Sequence, residues 1–253
     1  MTTAADIARR ALPLLDLTNL DENCSAADIL ALCEAAATPH GPVAAVCIYP
    51  RWVAYARAVL KQPEVRIATV VNFPDGAADE IAAVRATVQA YEEGADEVDV
   101  VMPWRTFLTG DEQAAANLIA ACRAVTPQGK TLKVILETGE LKDAKHILKA
   151  ANLALDSGAD FLKTSTGKVP VNATPEAAEI LLEAIRESGR PAGFKAAGGI
   201  RTVDDAGVYL DIADRVMDVG WVSAKTFRFG ASSLLQALLA AIEGGAAAPA
   251  TGY

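Results

Sequence analysis

The chain has 253 residues, 52% of them hydrophobic, and a formal net charge of −9. That apolar content excludes disorder, and without a run of 18 apolar residues no membrane-spanning helix is expected. The negative balance speaks against a nucleic-acid partner, which needs clustered Lys and Arg, but leaves room for one local site for a small phosphorylated ligand.

The first residues, Met1-Thr-Thr-Ala-Ala-Asp6, lack the basic start and apolar stretch of an export signal. Cys24, Cys33, Cys47 and Cys122 are scattered with no CxxC pair, so they read as reduced thiols of a cytoplasmic protein. The two histidines, His40 and His146, have no spaced Cys, His or Asp partner of the kind a zinc site uses. No metal and no other cofactor is therefore expected. Catalysis falls to lysines, carboxylates and hydroxyls.

In chain order, short apolar runs alternate with longer helical patterns. The predicted strands are Leu14–Leu17, Ala44–Ile48, Arg66–Val71, Glu97–Val101, Leu132–Leu136, Asp160–Leu162, Gly193–Ala196 and Phe227–Phe229. Ser25-Ala-Ala-Asp28 and Thr202-Val-Asp-Asp205 have the form of capping boxes, and Thr174-Pro175-Glu176 that of a helix start. Gly94 and Gly158 stand where helices stop. Eight strands alternating with about eight helices predict a single (β/α)8 barrel of the TIM type over residues 1–243. A doubly wound open sheet is the alternative, weakened because no GxGxxG turn follows the first strand. Residues 244–253 are almost all Gly, Ala, Pro and Thr and are expected to form a flexible tail that ends on Tyr253.

Two segments echo each other. Gly94-Ala-Asp96-Glu-Val-Asp99 and Gly158-Ala-Asp160-Phe-Leu-Lys163 each place a charged residue five positions after a helix-ending glycine. On strands four and six of a barrel, that match predicts Asp99 and Lys163 at one height, because alternate strands share a layer. Active sites of such barrels lie at the C-terminal strand ends, which singles out Asp16, Asp99, Lys163 and Lys195. Taken singly, each is as readily an exposed charge or a structural ion pair. Lys133 starts its strand and is expected at the barrel bottom in a structural role. A second ammonium about 5 Å from a lysine, at an effective dielectric of about 20, disfavours its charged form by roughly 3 kcal/mol, or about two pKa units. That is one route to a nucleophilic lysine.

Gly198-Gly199 follows strand seven, and Gly230-Ala-Ser232-Ser233 follows strand eight and opens the last helix. Glycines admit backbone N–H groups to an anion, and these are the loops where barrels commonly hold phosphate. Ser165-Thr166-Gly167-Lys168 has the look of a P-loop, but Leu162 stands in place of its first glycine and Val169-Pro170 follows the lysine. A nucleotide site is therefore rejected.

These residues bring out a likeness that runs nearly end to end. LLDLTNL, CIYPR, VNFP, GADEVDVV, LKVILETGELK, DFLKTSTGK, VNATPE, GFKAAGGIRT and RFGASSLL resemble the deoxyribose-phosphate aldolase family. The resemblance implies a carbon–carbon lyase of deoxyribose phosphate breakdown, which reversibly cleaves 2-deoxy-D-ribose 5-phosphate to D-glyceraldehyde 3-phosphate and acetaldehyde. It implies a Schiff base on Lys163, with Lys195 and Asp99 tuning it and relaying protons. It assigns the phosphate end to Thr166, Gly167, Lys168, Gly198, Gly199, Gly230, Ser232 and Ser233. Asp16, Thr18 and Cys47 would line the pocket, and Tyr253 matches a terminal tyrosine of the family. A homodimer is implied as well. One departure is Ala196, where some members carry proline after the second lysine; no functional group is removed. Another lysine-dependent phosphosugar aldolase and a non-catalytic sugar-phosphate-binding barrel remain the alternatives.

Overall fold

The computed structural model describes residues 2–218 and 220–244. Tyr253 and the expected tail beyond Gly244 lie outside the described residues. Eight parallel strands close a barrel. They are β1 Leu15–Asn19, β2 Ala45–Ile48, β3 Arg66–Val71, β4 Glu97–Val101, β5 Thr131–Ile135, β6 Phe161–Lys163, β7 Gly193–Ala197 and β8 Phe227–Ala231. Each lies where the apolar runs predict it, with ends moved by no more than two residues. A helix follows every strand, from Ala26–Ala35 after β1 to Leu234–Ile242 after β8. The open-sheet alternative is ruled out by the closure of β1 on β8. Among the described residues no helix is long and apolar enough to cross a membrane.

Local chemistry sets the helix ends. Both expected capping boxes form, at Ser25 with Asp28 and at Thr202 with Asp205, and a third forms at Thr3 with Asp6. Thr174 caps the helix Pro175–Ser188, whose first residue has no N–H to lose. Gly94 and Gly158 take φ of +106° and +95° just past their helices, a conformation that costs a residue with a Cβ. At Gly158 a Cβ would also come within 2.8 Å of the Arg123 stem.

Side chains alternate across each strand, so every β-strand has one row facing the helices and one facing the barrel axis. The outer rows, Leu15, Val46, Ile67, Val98, Val100, Leu132, Leu162 and Phe194 among them, are buried against the helices and form the main core. The inner rows fall into layers of four from alternate strands, given a stagger of one residue per strand in a barrel of shear 8. The registers put Ala45, Glu97, Phe161 and Arg228 in the lowest layer. Asp16, Ala68, Lys133 and Lys195 lie above them, and Cys47, Asp99, Lys163 and Gly230 form the next layer. Such interiors are usually filled by Val, Ile and Leu. Here the β2–β3 side is apolar, where Ala45, Cys47, Ala68 and Val70 make a small cluster of their own. Apart from Phe161 and Gly230, the other positions of these three layers are charged.

Two glycines let the lower layers close. A Cβ at Gly193 would overlap the Phe161 ring at 2.4 Å, and one at Gly230 would press on Lys195 Cε at 2.9 Å. Ala196 is fully buried and pairs with Phe229, so β7 continues through it to Ala197.

Candidate active site

Phe161-Leu162-Lys163 alternates in, out, in, so the strand that packs Leu162 into the core delivers Lys163 to the barrel axis. Its Nζ donates to Asp99 Oδ2 at 2.8 Å, and Lys195 Nζ donates to the same oxygen at 2.8 Å. Lys133 Nζ donates to the other oxygen, Oδ1, at 2.7 Å. One carboxylate thus holds three ammonium groups. Asp99 and Lys163 share a layer, as the echoed segments predict. All four residues are buried, Asp99 and Lys195 completely, Lys163 with 3% exposure.

The environments push the lysines apart. Burial lowers the proton affinity of Lys163, and Asp99 only partly offsets it while Lys195 adds repulsion, so its pKa lies below the ordinary lysine value. Lys195 is equally desolvated but touches two carboxylates, Asp16 and Asp99, and is held well above that value. Burial would raise the Asp99 carboxyl, yet Lys133, Lys163 and Lys195 hold it well below its usual range. Neighbouring groups with oppositely displaced pKa values divide naturally into a base and an acid.

A cavity of about 740 Å³ opens at the C-terminal end of the strands. Of the lysine–aspartate cluster, Lys163 alone lines it among the described residues. Thr18 lines its wall from β1, and Gly167 and Lys168 lie along the loop after β6. Gly198 and Gly199, at φ +83° and +84°, form the turn after β7; Gly230, expected after strand eight, instead lies within β8 because the strand runs on to Ala231, and Ser232 and Ser233 follow it. A Cβ on Gly198 would meet Asn172 at 2.7 Å, so the turn tolerates no side chain there. Ser233 is the N-cap of Leu234–Ile242, but its hydroxyl makes no capping bond. The first N–H groups of that helix are left for an anion.

Four more expectations need correction. Asp16 is placed by sequence at the C-terminal end of β1 on the pocket wall, but the strand runs on to Asn19 and Asp16 sits inside it, fully buried, one layer below Asp99. There Asp16 accepts from Lys195 at 2.6 Å and from Arg228 at 2.6 Å. Cys47 is fully buried too, on the inner row of β2 rather than on the cavity wall, and burial pushes its thiol up. Thr166 lines the cavity, yet its donors are occupied by Glu137: its hydroxyl donates to Oε2 at 2.6 Å and its N–H to Oε1 at 3.1 Å. It braces the loop rather than offering a donor. Lys133 is not a remote bottom residue. It is the third residue of β5, points inward and bonds Asp99 directly.

Sequence reasoning also missed Glu137, Glu97 and Arg228. Glu137 is fully buried beyond the end of β5, at φ +58°, and burial raises its carboxyl. A left-handed conformation in a glutamate is a strained feature of the kind that collects at sites. Its position in LETG was visible in the sequence, but its partner Thr166 lies 29 residues away. Glu97 precedes Asp99 by two, so strand alternation alone places it on the same inner row. That signal was available.

Fold and site define a barrel enzyme built around a buried lysine cluster, with its cavity walled by glycine turns. The family model of the DeoC/LacD family aldolase matches residues 10–240, and the chain belongs to that family. It is 52% identical over 250 residues to the deoxyribose-phosphate aldolase of Agrobacterium fabrum (strain C58 / ATCC 33970), across 98% of this chain and 96% of that protein. Among solved structures it is similar to a Toxoplasma gondii ME49 protein provisionally named a deoxyribose-phosphate aldolase, with a TM-score of 0.88, 26% identity and 96% of each chain covered. A Coccidioides immitis protein under the same provisional name gives a TM-score of 0.79 at 27% identity, across 92% of this chain and 85% of that one.

Proposed function

We propose that this chain reversibly cleaves 2-deoxy-D-ribose 5-phosphate to D-glyceraldehyde 3-phosphate and acetaldehyde through a Schiff base on Lys163, in the breakdown of deoxyribose phosphates. The observation that carries this reading is that Lys163, its proton affinity lowered, faces the same cavity as the glycine turn after β7 and the serines that follow β8. The relationship to the Agrobacterium fabrum aldolase supports the substrate.

In the cleavage direction, the neutral Lys163 amine adds to the aldehyde carbon C1 of the open sugar. Loss of water gives an iminium ion. The C3 hydroxyl gives up its proton, the C2–C3 bond breaks, and its electron pair moves toward the cationic nitrogen. D-glyceraldehyde 3-phosphate leaves, and the remaining enamine takes a proton at C2. Water then releases acetaldehyde and restores the amine. Asp99 and Lys195 carry the proton steps, which typically contribute 10²–10⁴-fold. Tyr253, outside the described residues, is assigned a share in them by resemblance alone. Asp16 and Cys47 belong to the support of the lysines, and Thr18 to the pocket wall. Gly167, Lys168, Gly198, Gly199, Gly230, Ser232 and Ser233 receive the phosphate, with Thr166 holding the loop. The barrel of residues 1–243 is the catalytic unit, 244–253 an appended tail, and the assembly a cytoplasmic homodimer.

Release of acetaldehyde from 2-deoxy-D-ribose 5-phosphate, followed with an alcohol dehydrogenase couple, tests the reaction. A protein that binds the sugar phosphate without releasing acetaldehyde would return it to the binding-barrel alternative.

The phosphate assignment has its own test. Ser233→Asp forfeits no capping bond, since the serine side chain makes none, but sets a carboxylate where the dianion is expected. KM for the phosphorylated sugar should rise about tenfold or more, the effect of roughly 1.4 kcal/mol of repulsion. KM for unphosphorylated deoxyribose should stay within about twofold. Equal effects on the two sugars would remove the phosphate from these loops.

A further inference from the structure

Below Lys163 the charged side chains close on themselves. Arg228 Nη1 donates to Asp16 Oδ1 at 2.6 Å, and Asp16 Oδ2 accepts from Lys195 at 2.6 Å. Lys195 donates to Asp99 Oδ2 at 2.8 Å, and Asp99 Oδ1 accepts from Lys133 at 2.7 Å. Lys133 Nζ lies 2.6 Å from Glu97 Oε2, and Glu97 Oε1 accepts from Arg228 Nη2 at 2.8 Å, back at the start. The ring alternates cation and anion, three of each, over all three layers. Its members come from β1, β4, β5, β7 and β8. Phe161 shares its lowest layer, with the Arg228 guanidinium 5.7 Å from the aromatic centroid. Lys163 is the seventh charge. It hangs from Asp99 outside the ring, so its ammonium is an unmatched charge on a neutral base.

We propose that Glu97 and Arg228 are positioning residues that fix how readily Lys163 gives up its proton, by keeping the ring beneath it neutral. Among the described residues neither lines the cavity, and both act through the carboxylates and ammoniums between them and Lys163. A buried ring of this kind is an expensive way to hold a barrel together. Apolar replacements of buried ion pairs are often as stable or more so. A neutral ring explains what an apolar plug would not. It supplies two carboxylates for Lys195 and one for Lys163, so the two lysines differ in proton affinity while their surroundings stay equally dry. The other groups facing Lys163 are Asp99 from β4, Lys195 from β7, Cys47 from β2 and Glu137 beyond β5. All of these stay in place in the variants below.

The inference deepens the Schiff-base reading, and its test does not need an imine. Trace acetylation with acetic anhydride, read by peptide mass against the exposed Lys145, reports the amine form of Lys163 as a function of pH. Glu97→Gln removes an anion, leaves the ring positive, and should move the Lys163 midpoint down by roughly one pH unit. Arg228→Gln leaves the ring negative and should move it up by a similar amount. That is the size expected of one charge about 10 Å away at an effective dielectric of about 20. The double variant is neutral again and should return to within about 0.3 unit of the parent. Arg228→Lys, which keeps the charge, should not move it. Opposed shifts with recovery in the double variant establish the role. Midpoints that stay put or move in one direction in the folded single variants overturn it. A double variant that stays displaced overturns it even where a single variant fails to fold. Failure to acetylate Lys163 in the parent at any pH also overturns it. Loss of borohydride trapping alone would instead count against the Schiff base and leave the ring's effect standing.

Discussion

Lys163→Ala should abolish covalent trapping of acetaldehyde by borohydride and lower turnover by about 10⁴- to 10⁶-fold, as removal of a nucleophile does elsewhere. The fold should survive. Lys163 is the one charge of the cluster outside the neutral ring, so its loss leaves Asp99 paired with Lys133 and Lys195. No buried carboxylate is stranded, and the space vacated opens onto the cavity. Ellipticity and thermal midpoint should therefore stay close to the parent's, which separates this result from simple unfolding. Lys195 is no substitute. Its side chain is 1% exposed, it bonds two carboxylates, and its ammonium is strongly favoured over the amine. Peptide mapping after trapping decides the matter. A reduced ethyl group on Lys195 in the variant, formed at the parent's rate, would overturn the assignment of roles.

The strands, the helix starts and the height of Asp99 relative to Lys163 were legible because each depends on local pattern. Apolar runs, hydroxyls three residues before an acid, and glycines after helices are readable within a few positions. The matched offsets from Gly94 and Gly158 reach further only because two alternate strands repeat the same local construction. What could not be read was depth. Asp16 and Lys133 were assigned by their place in the strand, one to the rim and one to the floor. Barrel stagger instead sets them side by side in one layer, with Lys195. The ring was hidden for the same reason. Arg228 meets Glu97 across 131 residues, and no periodicity in a single chain encodes a contact of that span. Glu137 and Thr166 are another such pair. Composition gave a warning all the same, since strands with Lys or Arg on the inner row imply carboxylates to meet them.

Asp99→Asn should be the most destabilising of the single changes at the site. The amide can accept from one side only, so at least one of the three ammoniums that now share Asp99 loses that bond, and the buried cluster is left with one carboxylate too few for its cations. Breaking a buried pair in this way typically costs about 3–5 kcal/mol. The sign of the pH dependence follows from the direction of the shift. The Asp99 carboxyl is held well below the unfolded value of 3.8. Its contribution is thus fully present above that pH and is lost as pH falls through the folded pKa. The stability gap between parent and variant should therefore be widest near neutrality and begin to narrow below pH 4. Chemistry should respond differently from stability. With one carboxylate fewer, the Lys163 ammonium is less favoured, so borohydride trapping should persist and extend to lower pH. Turnover should still fall by about 10²–10⁴-fold, because the proton steps lose their carrier. Urea midpoints between pH 3 and 7, set beside trapping and turnover on the same samples, check both halves. A gap that widens toward acid, or trapping lost in step with turnover in a folded variant, would show that Asp99 does not hold the lysines as the geometry implies.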